Sequence, residues 1–184
     1  MISLLPAATD LSTVEVWQQD ETRVGQQGSL TRIWARKGTR PRKIRQQQFL
    51  STYLYGAACI ETGKSFGLIL PYTNTGAMQI FLNEFSKFID KGKHAALIID
   101  NAGWHTTNNL DVPANITLVP LPPYSPELNP MEGVWRWIKA RYLSNRCYKN
   151  YEDIVKHVAI GWNEFSCRSE VVKSLCFRSW MCLP

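Results

Sequence analysis

The order of extended and helical patterns along the chain limits its possible folds most narrowly. Extended, mostly apolar patterns occupy residues 13–19, 53–60, 65–70, 95–99 and 116–119. Apolar residues at helical spacing occupy residues 76–90, 134–142 and 154–165. Three strand patterns therefore precede the first helix, and strands and helices alternate only after it. This order predicts an α/β fold in which a mixed sheet carries helices on its faces.

The connections between these patterns are also informative. Glu61-Thr62-Gly63-Lys64 is a turn-like tetrad between two strand patterns, and it predicts a β-hairpin. Residues 106–111 suggest a short helix. The segment from Pro120 to Pro130 contains five of the ten prolines, which indicates a stiff loop. From Ser166 onward the pattern is too weak to assign an element.

Length and composition favour a single domain that binds a polyanion. With 184 residues, 45% of them hydrophobic, we expect a single domain over residues 1–184. The 21 Lys and Arg outnumber the 15 Asp and Glu. No stretch approaches the roughly 18 to 20 apolar residues that span a bilayer, so we expect a cytoplasmic protein without a membrane partner. The five cysteines include no CxxC pair, which argues against a zinc site.

Acidic residues end two of the strand patterns. The first run stops at Asp20-Glu21, and the run at residues 95–99 stops at Asp100. Ligands of open sheets gather at the carboxyl ends of strands, so these two aspartates converge if their strands are neighbours. An acid in the first turn of a nearby helix could close the cluster, and Glu132 is such an acid.

Glu132 also has a purely structural interpretation. In Asn129-Pro130-Met131-Glu132 the asparagine suits the N-cap, the proline the first helical position and the glutamate the third. A glutamate there completes a capping box by bonding back to the Asn129 amide. These residues alone leave the capping role and the metal-binding role equally open.

Clustered carboxylates suggest a metal site, because they repel one another unless a cation lies among them. Oxygen-only ligands suit Mg2+ or Mn2+. Two such ions about 3.5 to 4 Å apart can activate the attacking oxygen and stabilise the leaving one in a displacement at phosphorus. Asp20, Asp100 and Glu132, here called the acidic triad, are thus candidate catalytic residues and candidate ligands of two Mg2+ or Mn2+ ions.

The residues that flank the triad form specific motifs. Most specific is a proline-rich loop that leads into an Asn-Pro-x-Glu helix start, with Trp135 three residues later and Lys139 beyond it. The other motifs are Gln19-Asp20-Glu21-Thr22, Trp34-Ala35-Arg36-Lys37-Gly38 and Ile98-Ile99-Asp100-Asn101-Ala102-Gly103-Trp104-His105. Together they resemble the DDE transposases of mariner-like bacterial insertion sequences.

The resemblance runs from about Val14 to Phe165 and implies a ribonuclease-H-like fold with helices on both faces of a mixed sheet. It implies a transposase that cleaves and joins DNA strands, with the acidic triad holding its metal ions. The implied partners are double-stranded DNA, as transposon ends and as target, and either a second copy of the chain or an upstream helix-turn-helix polypeptide. Relatives carry an N-terminal helix-turn-helix, and we expect none before Val14.

Four neighbours of the triad are candidate supporting residues. Glu21 is expected on the opposite sheet face from Asp20, as an outer or surface acid. Asn101 and Asn129 can each orient a metal-bound carboxylate by hydrogen bonding. His105 could touch a phosphate or orient a water, and a helix-start or packing role is equally open. Trp135 shares an apolar stripe with the following helix turn, so we assign it to core packing.

Basic residues on two acid-free stretches are candidate DNA contacts. No acid occurs between residues 22 and 60 or between residues 133 and 151. Arg136 and Lys139 fall four and seven residues after Glu132, on the same helical face. Such charge can follow the phosphates of a bound strand. The candidate DNA-binding residues are Arg36, Lys37, Arg40, Arg42, Lys43, Arg45, Arg136 and Lys139.

Two other functions stay open at the level of sequence. A ribonuclease-H-like nuclease would need a fourth carboxylate, such as Glu21 or Asp90, and the proline-rich loop argues against it. An inactive or decayed fragment would only bind DNA or a partner transposase. The intact triad argues against decay, and the expected lack of a helix-turn-helix argues for it. The sequence alone decides neither this question nor the oligomeric state and target sequence.

Overall fold

The computed structural model describes residues 4–7, 9–28, 30–42, 44–100, 109–123 and 125–181. The strands in this part of the chain are β1 Val14–Gly25, β2 Ser51–Cys59, β3 Ser65–Leu70, β4 His94–Ile99 and β5 Ile116–Pro120. The α-helices are α1 Thr75–Phe88, α2 Met131–Ile138, α3 Tyr151–Ser166 and α4 Ser169–Cys176. These elements follow the predicted order.

β1 lies at the centre of a five-stranded sheet with the order β3-β2-β1-β4-β5. It pairs antiparallel with β2 and parallel with β4, and β4 pairs parallel with β5. β2 and β3 form the predicted hairpin. β4 is buried over residues 95–99, as expected for a parallel strand covered on both faces. The predicted mixed sheet is confirmed.

Helices cover both faces of this sheet. α1 packs on one face, where Phe85 contacts Trp17 of β1 and Phe66 of β3. The helices α2, α3 and α4 pack on the other face, around a core that includes Val16 and Trp135. Because side chains alternate along a strand, even-numbered residues of β1 face α2 and odd-numbered residues face α1.

The prediction that the first strand ends at Asp20 was wrong, because β1 continues to Gly25. β2 stays paired with β1 along this extension, from Asp20 opposite Gly56 to Gly25 opposite Ser51. The parallel pairing with β4 stops earlier, at Gln18 opposite Ile98. Asp20 therefore lies within β1, at the point where the sheet loses one of the two neighbours of that strand. The residues after Asp20 are too polar to show a strand pattern in the sequence. They are part of β1 because they pair with β2.

The chain beyond residue 138 holds two features that the sequence pattern did not indicate. A π-helical segment, Lys139–Leu143, follows α2 directly, and α4 buries Val172 and Cys176 against the core. The helix suggested for residues 106–111 lies mostly outside the described residues. Of the helices that are described, none is long and apolar enough to cross a membrane.

Candidate active site

Asp20 is a buried carboxylate held by three hydrogen bonds. Its side chain faces α2, and the residue is only 8% exposed. Its Oδ2 atom accepts hydrogen bonds from Nδ2 of Asn129 at 2.9 Å and from Nε1 of Trp135 at 3.0 Å. Its Oδ1 atom accepts the backbone N–H of Glu21 at 2.8 Å. Both oxygens are thus fixed by groups of β1, of α2 and of Asn129, which lies just before α2.

Burial raises the pKa of Asp20 from 3.8 to about 7. Loss of hydration disfavours the charged form, and the hydrogen bond from Trp135 opposes this effect only in part. The nearby Glu21 carboxylate raises the pKa further, while the bonds from the Glu21 amide and Asn129 lower it. A cation beside Asp20 would supply the missing compensation, so this carboxylate is chemically suited to a metal ion.

Asp100 directly follows the end of β4, the parallel neighbour of β1. The last paired residues of the two strands are Gln18 and Ile98, each two positions before an acid of the triad. Ala96 and Ile98 face the α2 side of the sheet, and the alternation of the strand puts Asp100 in line with them. The side chain is half-buried.

Glu132 lies in the first turn of α2 and is exposed. Pro130 before the helix already has helical angles, φ −69° and ψ −20°. α2 begins at Met131, so Pro130 and not Asn129 occupies the N-cap position, and the predicted start of the helix was one residue early. Asn129 Oδ1 nevertheless accepts the backbone N–H of Met131 at 2.9 Å. Among the described residues, no hydrogen bond joins the Glu132 carboxylate to the Asn129 amide. The reciprocal half of a capping box is therefore not formed there.

The three acids are not assembled into a ready set of ligands. No group of three His, Cys, Asp or Glu side chains within the described residues is close enough to hold a metal ion. Repulsion between carboxylates favours such an open arrangement. The structure does join Asp20 to the helix of Glu132 through the Trp135 hydrogen bond, and Asp100 directly follows β4, the parallel neighbour of the strand that carries Asp20.

A notch in the sheet brings α2 close to Asp20. Gly56 lies directly opposite Asp20 on β2, and Gly67 pairs with Gly56 on β3. A Cβ atom at Gly56 would lie 2.7 Å from the ring of Trp135 and 2.8 Å from that of Trp162. A Cβ atom at Gly67 would lie 2.3 Å from the Trp162 ring. We call Gly56 and Gly67 the glycine notch, because only their missing side chains leave room for the two indoles.

The structure also reveals what sequence reasoning missed at Trp135. The prediction that Trp135 packs in the core is correct, since the residue is 3% exposed and its ring contacts Trp162. The indole N–H bond to Asp20 was not anticipated. A tryptophan three residues after Glu132 was the available signal, because buried indoles generally find a hydrogen-bond acceptor.

Of the other candidate supporting residues, Glu21 and Asn129 are described by the structure. Glu21 lies on the α1 side of β1, where Nε2 of Gln19 donates to its carboxylate at 3.3 Å. Asn129 contacts Asp20, as described above. Asn101 and His105 lie outside the described residues, and so does Lys43 of the basic stretch.

Most candidate DNA-binding residues lie between β1 and β2, on residues 26–50, here called the basic segment. It contains no helix or strand in its described part. Arg36, Lys37, Arg40, Arg42 and Arg45 are all exposed on it. Its ends are anchored, because Gln26 and Gln46 both donate to the backbone oxygen of Tyr148 and Thr31 bonds to Asn145. The segment is thereby held beside the end of the π-helical segment.

Arg136 and Lys139 extend this positive surface toward the triad. A groove of about 260 Å³ runs between the basic segment and α2, with Thr31, Glu132, Arg136, Lys139 and Ser144 among its lining residues. Arg136 is exposed, whereas Lys139 is partly buried. Burial lowers the pKa of Lys139, and the negative charges of Glu132 and Asp20 oppose that shift. The groove thus joins the basic surface to Glu132.

With this fold and site, the chain belongs to the DDE superfamily endonucleases, whose family model matches residues 15–155. It is 49% identical over 128 residues to the uncharacterized protein y4pE/y4sA of Sinorhizobium fredii, which covers 70% of this chain and 95% of that protein.

Solved structures of the Mos1 transposase share the fold. The Mos1 paired-end complex with the left transposon end aligns with a TM-score of 0.60 at 16% identity, over 87% of this chain and 55% of Mos1. The Mos1 mariner paired-end complex with Mn aligns with a TM-score of 0.62 at 17% identity, over 88% of this chain and 52% of Mos1. The chain thus spans about half the length of the Mos1 chains that it matches. The predicted ribonuclease-H-like fold is confirmed.

Proposed function

We propose that residues 1–184 form one transposase catalytic domain that cuts DNA strands and joins them to a target with the help of divalent metal ions. The observation that carries the proposal is the buried Asp20 carboxylate, which is bonded to the helix of Glu132 and lies on a strand whose parallel neighbour ends just before Asp100. Membership of the DDE superfamily endonucleases and the fold shared with Mos1 support it.

Asp20, Asp100 and Glu132 are the residues that would hold Mg2+ or Mn2+, as a pair of ions. Bound at carboxylates, such ions lower the pKa of a water and neutralise charge on the leaving oxygen. Mos1 has been solved with Mn and with Mg, which supports this choice of cofactor. The buried Asp20, whose raised pKa a bound cation would lower, would then bind as a carboxylate, and the exposed Glu132 would face the DNA.

The partner that we propose is double-stranded DNA, first as transposon ends and then as target. Mos1 has been solved with a transposon end, and a basic groove next to Glu132 supports a strand path here. Arg136 and Lys139 would meet the phosphates nearest the metal ions, and the basic segment would meet those further along. A second copy of the chain or a helix-turn-helix polypeptide would supply recognition of the ends.

The proposal is tested by strand cleavage. The purified chain should nick supercoiled plasmid DNA when Mn2+ is supplied, and EDTA should stop the reaction, because carboxylates alone provide no nucleophile for phosphorus. Nicking that continues unchanged in EDTA would contradict a metal-dependent mechanism.

The same preparations test the metal site by thermal unfolding. A ligand that binds only the folded state at about 100 times its Kd adds about 2.7 kcal/mol, so Mn2+ should raise the Tm of wild type by roughly 5 °C or more. Asp100→Asn should remove most of this rise. The matched control is Asp111→Asn. Asp111 is an exposed acid that follows residues 101–108 in the sequence, and this variant should respond as wild type does. Equal responses of all three proteins would exclude Asp100 as a ligand.

The basic segment gives a prediction about salt. DNA binding by phosphate contacts releases counterions, so log K falls by about 0.9 per log unit of salt for each phosphate neutralised. Replacing Arg36, Lys37 and Arg42 together by Gln should reduce this slope by about 2 to 3, for any duplex sequence. The measurement is a fluorescence-anisotropy titration at several salt concentrations.

Its control replaces an equal number of positive charges elsewhere. Lys87 lies in the last turn of α1, and Lys91 and Lys93 lie between α1 and the start of β4, whereas Asp100 follows the end of that strand. Replacing these three by Gln should leave the slope within about 0.5 of wild type, since charges away from the path meet no phosphate. Equal slopes for the two triple variants would mean that the basic segment is not the DNA path.

A further inference from the structure

Trp135 lies on α2, the helix that carries the triad acid Glu132, and its indole is hydrogen-bonded to a second triad acid, Asp20. Its Nε1 donates to Oδ2 of Asp20 at 3.0 Å, and Glu132 lies three residues earlier on α2. Residues three apart share a helix face, so the position of this indole and that of Glu132 are coupled. One hydrogen bond thereby ties the helix of Glu132 to the strand of Asp20.

The bond is directed at one of the two carboxylate oxygens. Oδ2 accepts from both Trp135 and Asn129, while Oδ1 accepts a single hydrogen bond from the described residues, from the backbone N–H of Glu21. An oxygen with two donors has little lone-pair capacity left, whereas one with a single donor keeps some. The arrangement therefore fixes the carboxylate plane and leaves Oδ1 as the oxygen with capacity for a further partner.

The glycine notch shows that this contact is built into the sheet. Gly56 stands opposite Asp20, and any larger residue there would overlap the Trp135 ring. The second indole in the notch, Trp162, contacts Trp135 at a centroid separation of 6.1 Å and has no hydrogen bond to an acid in the described part of the chain. Two indoles thus share one packing site, and within the described residues Trp135 is the one that is hydrogen-bonded to a triad acid.

We infer that Trp135 is a positioning residue of the metal site: through its indole N–H it sets the orientation of Asp20 and its separation from Glu132. The inference rests on the proposed function, because it presumes that both acids bind metal. An outer partner of this kind typically changes metal affinity or activity about 10- to 100-fold when it is removed.

The test compares two substitutions in the same notch. Trp135→Phe removes the N–H and part of the ring, and Trp162→Phe makes the same chemical change without touching Asp20. Calorimetric titration with Mn2+ should show binding weakened about 10-fold or more for Trp135→Phe, and within about 2-fold of wild type for Trp162→Phe. Thermal melts without metal should show similar losses for the two variants.

A second measurement uses the wild-type chain and does not depend on how the variants fold. In 15N-labelled protein, addition of Mg2+ should shift the indole N–H resonance of Trp135 and leave that of Trp162 in place. Equal Mn2+ affinities for the two Phe variants, or an unmoved Trp135 resonance in a protein that binds Mg2+, would overturn the inference. No Mn2+ or Mg2+ binding by wild type would instead overturn the metal site itself, and the inference with it.

Discussion

Glu132→Gln is expected to lower Mn2+-dependent strand cleavage by more than about 100-fold, because removal of an outer partner alone typically costs about 10- to 100-fold and a ligand should matter more. The free energy of unfolding should stay within about 1 kcal/mol of wild type. Glutamine has the same shape and suits the first turn of a helix. Asn129 already accepts the backbone N–H of Met131, the first residue of α2, without help from Glu132. The measurements are nicking rates on supercoiled plasmid and denaturant melts.

Glu127→Gln is the matched control for this substitution. Glu127 is an exposed acid in the loop just before α2, and its neutralisation removes the same charge from the same region. Cleavage by this variant should stay close to that of wild type. Full activity of Glu132→Gln would remove Glu132 from the mechanism, and joint loss of folding and activity would favour its structural role.

The metal-free chain is expected to lose stability as pH rises from about 4 to 7, by an amount on the order of 4 kcal/mol from Asp20 alone. The pKa of Asp20 is about 7 in the folded chain and 3.8 ordinarily. Between these values the folded state keeps a proton that the unfolded state has lost. Deprotonation therefore favours unfolding, and above pH 7 the loss is complete. The measurement is denaturant unfolding in EDTA across this range.

Asp20→Asn isolates this contribution, since an amide does not titrate. Its unfolding free energy should vary less over the same pH range, and the difference between the two proteins should follow the pKa of Asp20. Mn2+ should act in the opposite direction, because a ligand carboxylate must be deprotonated. The rise in Tm that Mn2+ produces in wild type should be larger at pH 8 than at pH 5.5. A pH dependence that is unchanged in Asp20→Asn would show that another group causes it.

The amino-acid sequence by itself determined the order of the elements and the start of α2. Strand and helix patterns differ in period, so even single segments reveal them. The Asn129 side chain at the start of α2 and the proline after it are local features that depend on a few adjacent residues. The motifs around Asp20, Asp100 and Glu132 were also readable, because they are contiguous in the chain.

Tertiary structure alone decided how far β1 runs and what holds Asp20. Residues 21–25 are polar enough to end a strand pattern, and only pairing with β2 extends the strand through them. Trp135 reaches Asp20 across 115 positions of sequence, and it does so through a gap that Gly56 leaves on a third element. Periodicity reports which face of an element is apolar. It does not report which partner fills a notch or satisfies a buried oxygen, because those contacts join segments that are brought together only by folding.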